Sequence, residues 1–206
     1  TDYQNKVAQL ESQGTHFVRW GAPDEAHPGV SIGCDNYQGG QSITEHLIAL
    51  GKRSFAFIGD NGEHAPEFKA RYNGYFETLM AHGLDKNSVQ ENANSTEDAG
   101  SEAIKSLLQN KALPQAIVCA SDLIAMGVLR ALRQAKVNVP DDVAVVGYDN
   151  IAVSAYTTPS LTTVQQNTKL AGELLVNTLL KAINNEEVED YLMPADIIIR
   201  QSCGSD

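Results

Sequence analysis

Trp20, Asp35, Asp60, Ser121, Asp122 and Asp149 each stand at or just past the end of a short apolar run. A carboxylate in such a place can accept hydrogen bonds from ligand hydroxyls or cap the helix that follows. Where two converge, they can do acid–base work. Asp35, Asp122 and Asp149 are the candidates for convergence. Trp20, the only tryptophan, could lay its ring over the C–H groups of a ligand or pack into a core. The rest of a catalytic apparatus is missing. There is no GxGxxG, no phosphate-binding GxxxxGK[ST], no GxSxG elbow and no HExxH. His16, His27, His46, His64 and His82 are scattered, and Cys34, Cys119 and Cys203 lie far apart without a CxxC. No metal site, no cofactor and no enzymatic activity are expected, and the cysteines are expected to be small buried hydrophobes in a reducing compartment.

These residues owe their positions to an alternation of strands and helices. Apolar runs of about five residues occur at 16–20, 30–34, 55–60, 116–120 and 143–148, with a last one at 196–200. Residues 55–60 do not alternate apolar with polar, as in a strand covered on both faces. Helical spacing marks 3–13, a helix after Gly39-Gly40 carrying Ile43, Leu47 and Ile48, and 70–81, 95–108, 122–135 and 169–183. Residues 21–24 read as a turn, and the polar stretch 84–94 as a surface loop. Strand–helix–strand–helix order predicts an α/β fold with a parallel, doubly wound sheet. Ligands of such sheets bind beyond the carboxyl ends of the strands, where the residues above cluster.

Composition narrows the function. The 206 residues are 42% hydrophobic and 20% charged, as in an ordinary globular protein. With 15 Lys+Arg against 26 Asp+Glu the net charge is −11, so this chain is not expected to bind nucleic acid or an anionic membrane by itself. No apolar run approaches the roughly 18 residues that cross a bilayer.

Four segments in series carry a family likeness. They are Asp35-Asn36-Tyr37-Gln38-Gly39-Gly40 with His46 to Arg53 and Phe57-Ile58-Gly59; Arg71-Tyr72-Asn73-Gly74-Tyr75; Cys119 to Gly127; and Val139 to Asn150 continuing through Pro159-Ser160-Leu161-Thr162-Thr163-Val164. In order and spacing they resemble the LacI/GalR bacterial transcription repressors. The resemblance implies a two-lobed, periplasmic-binding-protein-like fold that closes on its ligand in an interlobe cleft. Residues 1–53 with 166–190 would form part of an N-terminal lobe, incomplete in this chain. Residues 54–164 with 191–206 would form the C-terminal lobe, and the DNA-binding headpiece is expected to be absent.

The resemblance also names ligand contacts. Arg71 opens the family's R-x-x-G-[FYW] motif, and its guanidinium offers a rigid fork of donors. Asp149 matches the carboxylate of the G-Y-D motif. Ser121 aligns with a position that is often Asn in sugar-responsive members, while Asp122 is expected to cap its helix. Asp35 and Tyr37 could face the cleft, and Trp20-Gly21 resembles a pair near it in the purine-responsive branch. Glu67 and Ala65 stand where that branch has a hydroxyl residue and a second arginine, which favours a sugar over a purine. Tyr156, Leu129 and Leu132 are candidate contacts of a homodimer. The expected function is a cytoplasmic, allosteric sensor that controls operator DNA through the headpiece. The alternative is a periplasmic sugar-binding protein of a transport system.

Overall fold

A computed structural model describes residues 2–23, 29–110 and 113–205. Asp24 of the expected turn and His27 lie outside them. In chain order the elements are α1 (Asp2–Ser12), β1 (Val18–Trp20), β2 (Val30–Cys34), α2 (Asn36–Ala49), β3 (Phe55–Ile58), α3 (Pro66–Ala81), β4 (Ser88–Glu91), α4 (Glu97–Gln109) and β5 (Ala116–Cys119). They continue with α5 (Asp122–Gln134), β6 (Ala144–Asp149), β7 (Thr162–Gln165), α6 (Thr168–Ile183), β8 (Tyr191–Met193) and β9 (Asp196–Ile198). A 3-10 turn, Ala152–Tyr156, follows β6, and another, Gln201–Cys203, follows β9.

Two compact units result: Thr1–Asp35 with Asn167–Pro194, and Asn36–Gln166 with Ala195–Asp206. The first has a parallel three-stranded sheet in the order β1-β2-β8. Its small core joins Cys34, Met193 and Ala171, with Leu174 of α6 packed against it.

The second unit has six strands in the order β4-β3-β5-β6-β7-β9, all parallel except β9, which runs antiparallel to β7. The chain leaves β3 for β4 on one side and then returns past it to β5. With right-handed crossovers this puts α3 on one face and α4 with α5 on the other. The carboxyl ends of β3 and β5 therefore flank the point where the winding reverses, the place where such sheets open a crevice. Phe55, Ala56, Phe57 and Ile58 are fully buried, as are Ala116 and Ile117 and the β6 run Ala144-Val145-Val146, which accounts for their unbroken apolar character.

Glycines set how the helices meet. A methyl group on Gly40 would collide with the backbone carbonyl of Arg71, and one on Gly74 with that of Tyr37, so α2 and α3 pack backbone to backbone. Gly100 and Gly127 do the same for α4 and α5. This packing, with Ile43 and Leu47 of α2 inside the large core, groups α2 with the second unit. The division therefore falls at Asp35/Asn36 and Pro194/Ala195, whereas the sequence expectation put the corresponding boundaries near 53 and 190.

Other differences have local causes. β4 lies in the stretch expected to be a loop. It is an edge strand without fully buried side chains, so it has no hydrophobic signature. β7 reads Thr-Thr-Val-Gln and β8 has only three residues, too short and too mixed to register as strands. α3 starts at Pro66, four residues before the expected start at 70, because proline suits the first helical turn. Of the candidate dimer contacts, Leu129 and Leu132 are buried in the core, whereas Tyr156 is 85% exposed. All three cysteines are free and buried, as expected.

Candidate functional site

Arg71 lies on the second turn of α3 with only 4% of its surface exposed. Its Nε donates to Asn36 Oδ1 at 2.8 Å and its Nη1 to the carbonyl oxygen of Ala120. The guanidinium carbon sits 3.7 Å above the Tyr148 ring and 5.1 Å from the Phe68 ring centroid. Nη1 is 3.4 Å from Asp149 Oδ1. Groups from the start of α2, the end of β5 and the end of β6 thus fix the fork. Its Nη2 has no acceptor among the described residues, which leaves that nitrogen for a ligand.

Asp149 ends β6, with its side chain 28% exposed. Gln166 Nε2 donates to Oδ1, and the Gln166 backbone N–H reaches the Asp149 carbonyl at 3.4 Å. Burial pushes its carboxyl above the ordinary aspartate value, and Arg71 and Gln166 offset this only in part. The site therefore combines a pinned cation whose Nη2 has no acceptor among the described residues with a partly exposed carboxylate that has acceptor capacity. That combination suits a ligand rich in hydroxyls.

The neighbouring residues divide differently from expectation. Ser121, not Asp122, caps α5: its Oγ accepts from Ile124 N at 3.4 Å and lies 2.8 Å from Ser95 Oγ. That hydroxyl is buried and already engaged. Asp122 turns inward, accepting from Thr163 Oγ1 at 2.6 Å and from Ile151 N at 2.9 Å. Burial raises its carboxyl to about 6, against the lowering effect of these hydrogen bonds. Asp60 folds onto its own loop, accepting from Gly62 N at 2.8 Å and pairing with His64 at 2.6 Å. The Gly62 N–H is the main cause that holds its carboxyl below the usual value.

Tyr37 sits in the first turn of α2 rather than in a loop, and its hydroxyl donates to Glu77 Oε2 at 2.7 Å. That bond raises the phenol above its ordinary value. Glu67 is half-buried in the first turn of α3. In the first unit, Asp35 follows β2 and its N–H donates to the Met193 carbonyl at 2.9 Å. Trp20 ends β1, 46% exposed, and lines a cavity of about 520 Å³ with Val7, Leu10 and Phe17. It is therefore not a core residue.

Of the expected ligand contacts, the second unit brings Arg71 and Asp149 together. Asn36, Tyr148 and Gln166 complete their surroundings and went unpredicted. Tyr148 and Asn36 lie within the segments that carry the family likeness, and that placement was the only signal for them. Among the described residues no three His, Cys, Asp or Glu side chains could hold a metal ion, and no helix is long and apolar enough to cross a membrane.

A family model for a periplasmic binding protein-like domain matches residues 44–203. The HTH-type transcriptional repressor PurR of Glaesserella parasuis is 33% identical over 97% of this chain and 61% of its own length. A LacI-family transcriptional regulator from Enterococcus faecium, solved with bound ribose, superposes with a TM-score of 0.87 at 25% identity, over 98% of this chain and 75% of that one. A CelR–cellobiose complex superposes with a TM-score of 0.83 at 31% identity, over 94% and 60%. The chain is a periplasmic-binding-protein-like domain of the LacI/GalR type. This LacI-type domain spans about 61% of the curated PurR relative, and the expected likeness and fold class both hold. The LacI-type relatives are transcriptional regulators.

Proposed function

We propose that the chain is the effector-sensing part of a LacI-type repressor. It binds a small sugar at the Arg71–Asp149 pair and passes the binding event to an attached DNA-binding headpiece in the cytoplasm. The observation that carries this reading is the pinned guanidinium, whose Nη2 has no acceptor among the described residues, beside a carboxylate that is 28% exposed. A vicinal diol can accept from the one and donate to the other. The neighbours solved with ribose and with cellobiose support the sugar class. So does the acidic Glu67 near the start of α3, which would sit badly with an anionic effector. Ligand can control DNA only by binding two arrangements of the domain with different affinity. The exposed Tyr156 and Val153 on the 3-10 turn after β6 support a homodimer built on that face.

The test is thermal unfolding of this chain with D-ribose, cellobiose and hypoxanthine. A sugar at 100 times its dissociation constant should stabilise by about 2.7 kcal/mol, which raises Tm by roughly 5–10 °C in a domain of this size. A shift with hypoxanthine alone overturns the sugar assignment. A sugar shift that survives unchanged in Arg71→Ala and Asp149→Ala overturns the site.

A further inference from the structure

The turn that carries Asp149 is conformationally demanding. Asp149 has φ 107° and Asn150 φ 53°, and neither is glycine. L-residues rarely enter this region, so such a turn persists only where its surroundings hold it. Here the holding group is a carboxylate. The Ile151 N–H donates to Asp122 Oδ2 at 2.9 Å. The Asn150 N–H donates to Thr163 Oγ1 at 3.3 Å, and the same hydroxyl donates onward to Asp122 Oδ1 at 2.6 Å. Both backbone amides after Asp149 therefore end on Asp122, one directly and one through Thr163. From another side Arg200 Nη2 donates to Asn150 Oδ1 at 2.7 Å and its Nη1 to the Leu161 carbonyl at 2.6 Å.

Asp122 has no exposed surface, so it cannot itself meet a ligand in this arrangement. A buried carboxylate is costly, and simple packing would not call for one. Gly147 leaves room for it: a Cβ there would collide with Asp122 Oδ1. The G-Y-D segment is thus built around Asp122 as much as around Asp149.

We infer that Asp122 and Thr163 are positioning residues of the effector site, which fix the Asp149 carboxylate by clamping the left-handed turn behind it. The inference rests on the reading of Asp149 as a ligand contact. Loss of the relay frees the turn, lets more water reach Asp149, and disorders the acceptor that a sugar hydroxyl needs.

The experiment compares Thr163→Val, which keeps shape but removes the hydroxyl, with Thr163→Ser, which keeps the hydroxyl. Each variant is first shown to be folded by near-ultraviolet circular dichroism. Carboxyl ¹³C NMR then follows the titration of Asp149 without any ligand, and calorimetry measures binding of D-ribose and of cellobiose. In Thr163→Val the Asp149 titration should move down toward the ordinary aspartate range, and sugar affinity should fall by about tenfold or more, the scale of one hydrogen bond to a charged group. Thr163→Ser should stay near the wild type on both readouts. An Asp149 titration unmoved in folded Thr163→Val overturns the inference whatever the sugars do. Asp149→Asn is the separate control: undiminished sugar binding there removes Asp149 from the site, while the titration still decides whether Thr163 holds the turn.

Discussion

Gly74 lies directly against the backbone of Tyr37, so close that a single methyl group on Gly74 would overlap the Tyr37 carbonyl oxygen. Arg71 stands three residues earlier on α3, on the same side of the helix, and its own backbone meets Gly40 in the same way. The spacing of the R-x-x-G motif is thus a packing rule: the glycine sets the helix depth and the arginine is delivered to the sheet edge at that depth.

Gly74→Ala should therefore destabilise the protein, although alanine is the better helix former. Helix propensity would favour the change by about 1 kcal/mol, while overpacking against a rigid backbone costs about 1–3 kcal/mol and must also move α3. Urea unfolding should show a net loss, and sugar binding should weaken with it. A stabilised Gly74→Ala would mean that α2 and α3 separate freely.

Arg71→Lys keeps the charge but loses the fork. A lysine cannot serve Asn36 and Ala120 together while stacking on Tyr148. The expected cost is about 1–3 kcal/mol in urea unfolding, from buried acceptors left short of donors. Equal stability of the two proteins would contradict the geometry of the site.

Asp122 imposes a pH dependence. Its carboxyl is raised from 3.8 in the unfolded chain to about 6 in the fold. The native state then binds more protons than the unfolded one between these values, so this group's contribution is fully present below about pH 4 and is lost as pH rises through about 6. Asp149 is raised as well and acts in the same direction, and Cys119, whose buried thiol is pushed up, stays protonated throughout. Over that window Asp122 should remove up to about 3 kcal/mol. The stability difference between wild type and Asp122→Asn, measured by urea unfolding from pH 4 to 7, should drift accordingly. A flat difference would show that Asp122 is better solvated than its burial implies.

The thiols give a simpler check. Cys34, Cys119 and Cys203 are free and buried. A thiol-exchange reagent should react slowly or not at all with the native chain and titrate three groups once the protein is unfolded in urea. This holds even for Cys203, whose thiol burial would push up but whose hydrogen bonds with His46 and Thr162 lower it below the usual value. Rapid reaction of Cys203 in the native protein would show that its pocket opens.

The strands at the centre of the sheet were legible because burial on both faces leaves an unbroken apolar run, as in Phe55-Ala56-Phe57-Ile58. The edge strand Ser88–Glu91 was not, since its pairing relies on backbone groups that no side chain advertises. The Arg71–Asp149 pair could be anticipated because each sits in its own recognisable segment. The exchange of roles between Ser121 and Asp122 could not. Both residue types cap helices well, and the choice was made by Thr163 and Ile151, which are remote in sequence and reach Asp122 only in the folded sheet.

The antiparallel strand β9 belongs to the second unit, yet the chain reaches it only after passing through the first. Arg200 and Ser202, just beyond that strand, bond to Leu161 and Val145. During synthesis the bulk of the second sheet leaves the ribosome with the edge of β7 still bare, and it stays bare until the whole of α6 and β8 has also emerged. Maturation of this unit is therefore timed by its neighbour's translation, and a nascent chain stalled within α6 would expose an unpaired strand edge ready to join another chain.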